Sequence, residues 1–119
     1  MRHELKKVMK IADEVMTCCC YKYEPERASF HVERHAHGYE MVFRFDPVLL
    51  DDADLKDLRK KLAIERNPEL EDYYWQLAGE VENSSELALV AMMTDEASVD
   101  IQGRALCVTL LRRTQEGKD

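Results

Sequence analysis

The chain has 119 residues, of which 45% are hydrophobic and 34% charged, and its formal net charge is -7. This length fits one domain, residues 1–119, and the acidic balance excludes a surface built to attract the phosphates of nucleic acids. No apolar run approaches the roughly 20 residues that span a bilayer, and residues 1–10 lack the apolar segment of a signal peptide. We therefore expect a cytoplasmic protein with no nucleic-acid or membrane partner.

The first half of the chain predicts a helix followed by a β-hairpin. Between residues 3 and 23, apolar side chains recur every three or four positions, which indicates one buried helical stripe. This stripe consists of Leu5, Val8, Met9, Ala12, Val15, Met16, Cys19 and Tyr23. The opposite face holds Glu4, Lys7, Asp13, Glu14, Cys18 and Lys22. From Arg27 the period changes to two, and it resumes after a turn at Gly38, which predicts two strands of a hairpin.

The second half predicts three helices and two strands. Asp51 or Asp52 can cap a helix over residues 52–66, and Asn67-Pro68 can start another over 68–78, with Leu70, Tyr73, Tyr74 and Leu77 buried. Ser84 or Ser85 can cap a further helix, and two strands follow over 98–101 and 104–111. The last strand is apolar on both faces, as central strands are. The prediction is an α+β fold of order α-β-β-α-α-α-β-β, with helices on one face of a mainly antiparallel four-stranded sheet.

The stretch from Ser84 to Leu111 carries a family resemblance. Leu87-Ala88-Leu89-Val90 is followed by Asp95-Glu96, by a strand at Val99, by a turn at Gly103 and by the apolar run Val108-Thr109-Leu110. In this order the stretch resembles the end of the GHKL, or histidine-kinase-like, ATP-binding fold, and especially its small anti-sigma-factor branch of serine kinases. The first helix and hairpin stand where that family has its N-box helix and the two strands after it.

The resemblance implies a nucleotide site whose residues are mostly replaced. Glu14 would match the general base, and Cys18 would stand where an asparagine helps to hold Mg²⁺, although a thiol is a poor magnesium ligand. Asp46 would match the residue that reads adenine, and Gly103 the last glycine. The other family glycines are replaced by Pro47, Val48, Leu49, Ser84 and Glu86. We therefore expect a degenerate site with no cofactor and no catalytic residue.

Other groups that could carry chemistry are few. His31, His35 and His37 lack a fourth ligand of matching spacing, so we interpret them as solvated hairpin side chains rather than a zinc site. The consecutive Cys18, Cys19 and Cys20 are interpreted as reduced thiols on the first helix, with Cys19 a small core residue on its buried stripe and Cys18 on its other face. No base is identifiable for Cys107. The sequence therefore predicts neither a metal site nor a catalytic thiol.

The leading functional hypothesis is a bacterial regulatory module that binds another signalling protein without catalysis. The predicted surface is that of helices 52–66 and 68–78, with Tyr74 and Trp75 as contact residues. A strand edge and an aromatic helix would also suit a homodimer. One alternative is a working ATP-binding serine kinase of the anti-sigma type, with Glu14 as base and with ATP and Mg²⁺ bound. A second alternative is an unrelated small α+β binding domain.

Overall fold

The computed structural model describes residues 2–74 and 86–114. Their elements are α1 (Arg2–Tyr23), β1 (Arg27–His35), β2 (Gly38–Asp46), α2 (Asp52–Leu62), α3 (Pro68–Tyr74), α4 (Glu86–Met92), β3 (Glu96–Gln102) and β4 (Ala105–Arg113). The predicted order and the α+β class are confirmed. Among the described residues, no helix combines the length and apolar character needed to cross a membrane.

The four strands form one antiparallel sheet in the order β1-β2-β4-β3. Two hairpins, β1–β2 and β3–β4, are joined by the pairing of β2 with β4, in which Phe43 lies opposite Val108. The predicted central position of β4 is therefore confirmed. The pairing of β2 with β4 joins segments that are far apart in sequence, so neither hairpin forms the four-stranded sheet by itself.

The two faces of the sheet differ because side chains alternate along each strand. On the core face, every second residue of β2 and β4 is buried under the helices: Tyr39, Met41, Phe43, Phe45, Leu106, Val108 and Leu110. The other side we call the open face, and it carries the intervening residues, which are half-buried or exposed. The buried residues of α1, α2 and α4 join these strand residues in one hydrophobic core.

The buried side of α1 differs from the predicted stripe. Ile11 is buried, while Leu5 and Met9 are 50% and 40% exposed. Lys7 and Glu14, predicted on the polar face, are buried instead. The helix is thus rotated relative to the prediction, because a charged residue with partners can be buried where an unpaired one cannot.

The prediction for α3 was wrong in the same way. Leu70 and Tyr73 are exposed, whereas Glu71 is only 3% exposed. Glu71 takes the buried side of this short helix because three basic side chains contact it there. Leu77, also predicted on the buried side of this helix, lies outside the described residues.

The starts of α2 and α3 follow their local sequence. Asp51 caps α2: its carboxylate accepts a hydrogen bond from the Asp54 amide at 2.8 Å, and the Asp54 carboxylate accepts one from the Asp51 amide at 3.4 Å. The Asn67 side chain accepts a hydrogen bond from the Leu70 amide at 3.2 Å, just before Pro68 opens α3. These caps fix where the two helices begin. The predicted caps Ser84 and Ser85 lie outside the described residues.

Candidate functional site

A buried charge cluster lies at one end of the sheet. It consists of Glu4, Lys7, Arg66, Glu71 and Arg112. The guanidinium of Arg112, which is completely buried, donates to Glu71 Oε1 at 3.0 Å and to Glu71 Oε2 at 2.6 Å. It also donates to the two carboxylate oxygens of Glu4, at 3.0 and 3.1 Å. The cluster therefore joins the start of α1, α3 and the end of β4.

Strand periodicity explains why an arginine lies in the interior. Leu106, Val108 and Leu110 alternate onto the core face, and continuation of that series by two residues places Arg112 under α1 and α3. Because burial of a guanidinium without partners is costly, its position requires carboxylates nearby. Glu4 and Glu71 supply them.

The cluster shifts the pKa values of its members. Burial alone would raise the pKa of Glu71, but hydrogen bonds from Arg112 and Lys7 outweigh it and lower that pKa to about 2. For Lys7, burial opposes the charged form, but hydrogen bonds to Glu71 and Asp72 raise its pKa above the ordinary value. Each of these groups is therefore held in its charged form at neutral pH.

Arg112 has no N–H donor left with which to bind a substrate. A guanidinium has five N–H groups. Its nitrogens here make five hydrogen bonds, four to Glu4 and Glu71 and one, at 2.6 Å, to the carbonyl of Met93. The arrangement is that of a structural clamp, and its chemistry gives it no means to bind an anion at Arg112 without breaking an existing bond.

The residues that the family resemblance assigns to a nucleotide lie on two sides of the sheet. Glu14 and Cys18 belong to α1, on the core face, where Glu14 is 3% exposed and Cys18 packs against the hydrophobic core. Asp46 continues the series of β2 residues on the open face, where its carboxylate pairs with Arg27 at 3.3 Å and with Arg44 at 3.8 Å. A shallow pocket of about 220 Å³ adjoins Asp46, and its described lining comes from β1 and β2.

Gly103 lies in the turn between β3 and β4, with φ of 66°. A side chain at this position would meet nothing within 4 Å. The turn therefore accounts for this glycine through its left-handed backbone. At the same end of the sheet, the Val48 amide donates to the carbonyl of Arg104 at 2.8 Å, which brings the chain after Asp46 next to this turn.

The predicted contact residues for a partner are described only in part. Tyr74 is the last residue of α3, and Trp75 lies outside the described residues. On the same helix, Tyr73 is 70% and Leu70 38% exposed, and Ile64, in the connection before α3, is 44% exposed. Next to this connection a groove of about 410 Å³ runs between the end of α2 and the start of β3.

The cysteines show no arrangement for redox chemistry. None of the four forms a disulfide. Burial raises the pKa of Cys19 to about 12, which keeps it protonated. On the open face, Arg44 donates to the sulfur of Cys107 at 3.6 Å. The interpretation of Cys19 as a small core residue is in line with its 1% exposure.

The histidines of the first hairpin lie beside carboxylates. His35 ends β1, and its Nε2 is 3.6 Å from Glu33 Oε1 and 4.0 Å from Glu40 Oε1. His31 Nε2 is 3.8 Å from the other oxygen of Glu33. His37 lies in the two-residue turn and outside this group.

Comparisons of the sequence with protein-family models and with curated proteins found no match. Sequence reasoning missed two groups: the partners of Arg112, and the carboxylates beside His35. The period of two was the available signal for both, since it extends the core series to Arg112 and places Glu33 on the same face as His35.

Proposed function

We propose that the protein is a regulatory module that binds another signalling protein, on a scaffold resembling a degenerate histidine-kinase-like ATP-binding domain, and that it does so without catalysis. The observation that carries the non-catalytic part is the separation of Glu14 and Asp46. A nucleotide that touches both would have to reach the core face and the open face of one sheet. Glu14 is also buried, so a bound water or phosphate has little access to it.

The surface that best suits a partner runs along the α2–α3 connection and α3. We define it by Ile64, Leu70 and Tyr73 and call it the α2–α3 surface. Leu70 and Tyr73 are three positions apart on α3, so their side chains lie on neighbouring parts of that helix. Exposed large apolar side chains next to a groove are a common feature of protein-binding surfaces, and tyrosine is enriched among the residues that dominate binding energy.

Charge indicates what kind of partner would fit. The described lining of the adjacent groove includes Glu65, Asp95 and Glu96, of which Glu96 also pairs with Arg113, and the whole chain has a net charge of -7. Arg66 is engaged with Glu71 and Asp95, at 3.2 and 2.8 Å. The proposal is therefore a protein partner with a basic segment that also carries apolar residues, for which the acidic surface would raise the association rate.

The first experiment separates this proposal from the ATP-binding alternative. The melting temperature of the purified protein is measured with and without millimolar Mg-ATP. A ligand at a hundred times its dissociation constant stabilises by about 2.7 kcal/mol, so a nucleotide-binding protein must melt at a higher temperature. The proposal expects no change, and a saturable increase would show that the chain binds nucleotide, which would overturn the proposal in favour of the ATP-binding alternative.

The second experiment tests the surface. A photo-reactive amino acid at position 73 identifies the cross-linked partner, whose affinity is then measured with purified proteins. Tyr73→Ala should weaken binding about tenfold or more, as expected for a contact that dominates the interface. Tyr21→Ala is the matched control, because Tyr21 is 88% exposed but lies on α1. Equal affinities for the two variants would refute the placement.

Two further expectations concern Trp75 and the oligomeric state of the protein. Trp75→Ala should weaken the same complex without unfolding the protein, if the surface continues past Tyr74. A homodimer would use a different feature, since β1 and β3 are the edge strands of the sheet. The mass of the purified protein in solution distinguishes a homodimer from a complex with another protein, because a homodimer forms without any added partner.

A further inference from the structure

The open face carries a group of metal-type donors on the first hairpin. Glu33 and His35 of β1 and Glu40 of β2 each offer one donor atom, and these three atoms lie within 4.8 Å of one another. Glu33 and Glu40 are direct cross-strand partners, and His35 lies opposite Gly38, two pairs further towards the turn and therefore on the same face. Because Gly38 has no side chain, the His35 ring is not opposed by one and reaches Glu40 diagonally.

The facing carboxylates are unfavourable by themselves. Like charges directly opposite each other on neighbouring strands destabilise a sheet. The partner of Glu40 on its other side, in β4, is Leu111, so neither residue opposite Glu40 is basic. Both carboxylates instead contact the same imidazole nitrogen, that of His35. A cation placed between the three groups would offset the repulsion.

We propose that Glu33, His35 and Glu40 bind one divalent transition-metal ion of the Zn²⁺ type. An imidazole nitrogen with two carboxylate oxygens suits zinc and its neighbours, whereas Mg²⁺ and Ca²⁺ prefer oxygen ligands alone. Ligand bonds of about 2.0–2.2 Å in a tetrahedron place the donor atoms about 3.3–3.6 Å apart. The Nε2–Oε1 distances of 3.6 and 4.0 Å need only small side-chain movements to reach that spacing.

The charge and the exposure of the site agree with an open metal site. Two carboxylates neutralise a divalent ion, and His35 binds it as the neutral imidazole. Glu33 and His35 are more than half exposed and Glu40 is 42% exposed, so water can complete the coordination. This inference is independent of the proposed function, because the hairpin is not part of the α2–α3 surface.

The test is Zn²⁺ binding by untagged full-length protein at neutral pH, followed by calorimetry. Wild type should bind with a stoichiometry of one at this site. Loss of an outer partner of a metal ligand costs about 10- to 100-fold in affinity, so His35→Ala, which removes a ligand, should cost at least about 100-fold. Glu40→Gln should also weaken binding clearly. His37→Ala is the matched control and should leave the affinity unchanged.

Several results would overturn the proposal. They are the absence of saturable Zn²⁺ binding in wild type, unchanged affinity in His35→Ala, or an equal loss in His37→Ala. Co²⁺ substitution gives a separate readout, because thiolate ligation produces strong near-ultraviolet charge-transfer absorption. Such absorption at one equivalent would assign the metal to the cysteines and contradict the hairpin site. Circular dichroism checks that each variant keeps the wild-type fold.

Discussion

Glu71→Gln removes one negative charge from the buried cluster with almost no change in side-chain size. Arg112 would lose its charged partner at 3.0 and 2.6 Å, and Lys7 would lose its contact at 2.8 Å. Arg112 would keep Glu4 and the Met93 carbonyl. The variant would therefore leave an excess of positive charge in a buried place.

The expected loss of stability can be worked out in two ways. Removal of one partner of a buried ion pair costs about 3–5 kcal/mol, and the lower end applies here because Glu4 remains. The pKa of Glu71 falls from its ordinary value of 4.5 to about 2. At about 1.4 kcal/mol for each pKa unit this gives roughly 3–4 kcal/mol, an upper limit because Asp72, the other partner of Lys7, is exposed to water. Both routes lead to about 3 kcal/mol.

Urea unfolding at neutral pH measures this difference. Glu69→Gln is the matched control, because Glu69 is an exposed carboxylate in the first turn of the same helix. It should cost less than about 1 kcal/mol.

The pH dependence gives a second readout. The folded-state pKa of Glu71 lies below the unfolded one, so its contribution is complete above about pH 4.5 and is lost as the pH falls towards about 2. The difference between wild type and Glu71→Gln should narrow over that range. Equal urea midpoints at neutral pH, or a difference that does not narrow in acid, would refute the reasoning.

Three further predictions test other parts of the fold. Gly38→Ala should destabilise the protein by at least about 2 kcal/mol, because a Cβ would lie 2.2 Å from the carbonyl oxygen of Arg112. Gly103→Ala should cost only about 1 kcal/mol of backbone strain, since its Cβ would meet nothing within 4 Å. Equal thermal melting curves for the two variants would contradict this difference. Asp51→Ala should cost about 1 kcal/mol through loss of the capping box of α2, measured as a lower urea midpoint. Cys19 should resist alkylation at neutral pH until urea unfolds the chain, and its labelling in the native state, read by mass spectrometry, would show that it is not buried.

Most of the fold could be predicted because its signals are local. The change of period at Arg27, the turn residue Gly38 and the cap at Asp51 each act over a few residues. The faces of α1 and α3 could not be predicted so well. Their orientation depends on Arg112, which is distant in sequence, and a rule that buries apolar residues cannot place Glu71 before its partners are known.

The candidate sites depend even more on pairing. The register of β1 with β2 sets Glu33 opposite Glu40 and brings both to His35, which spacing among histidines alone could not reveal. The nucleotide residues inferred from resemblance illustrate the converse. Glu14 and Asp46 stand in the expected sequence order, but strand alternation directs Asp46 to the other face of the sheet.

The bond between Glu4 and Arg112 also sets a limit on when this protein can fold during synthesis. The two residues are 108 positions apart, and β4 pairs with β2 only after residue 105 has been made. Until the ribosome has released that strand, α1 has an acidic first turn without its arginine and β2 has one free edge. A chain that stops before β4 would therefore expose both to chaperones and proteases, so premature termination should give rapid degradation rather than a smaller stable domain.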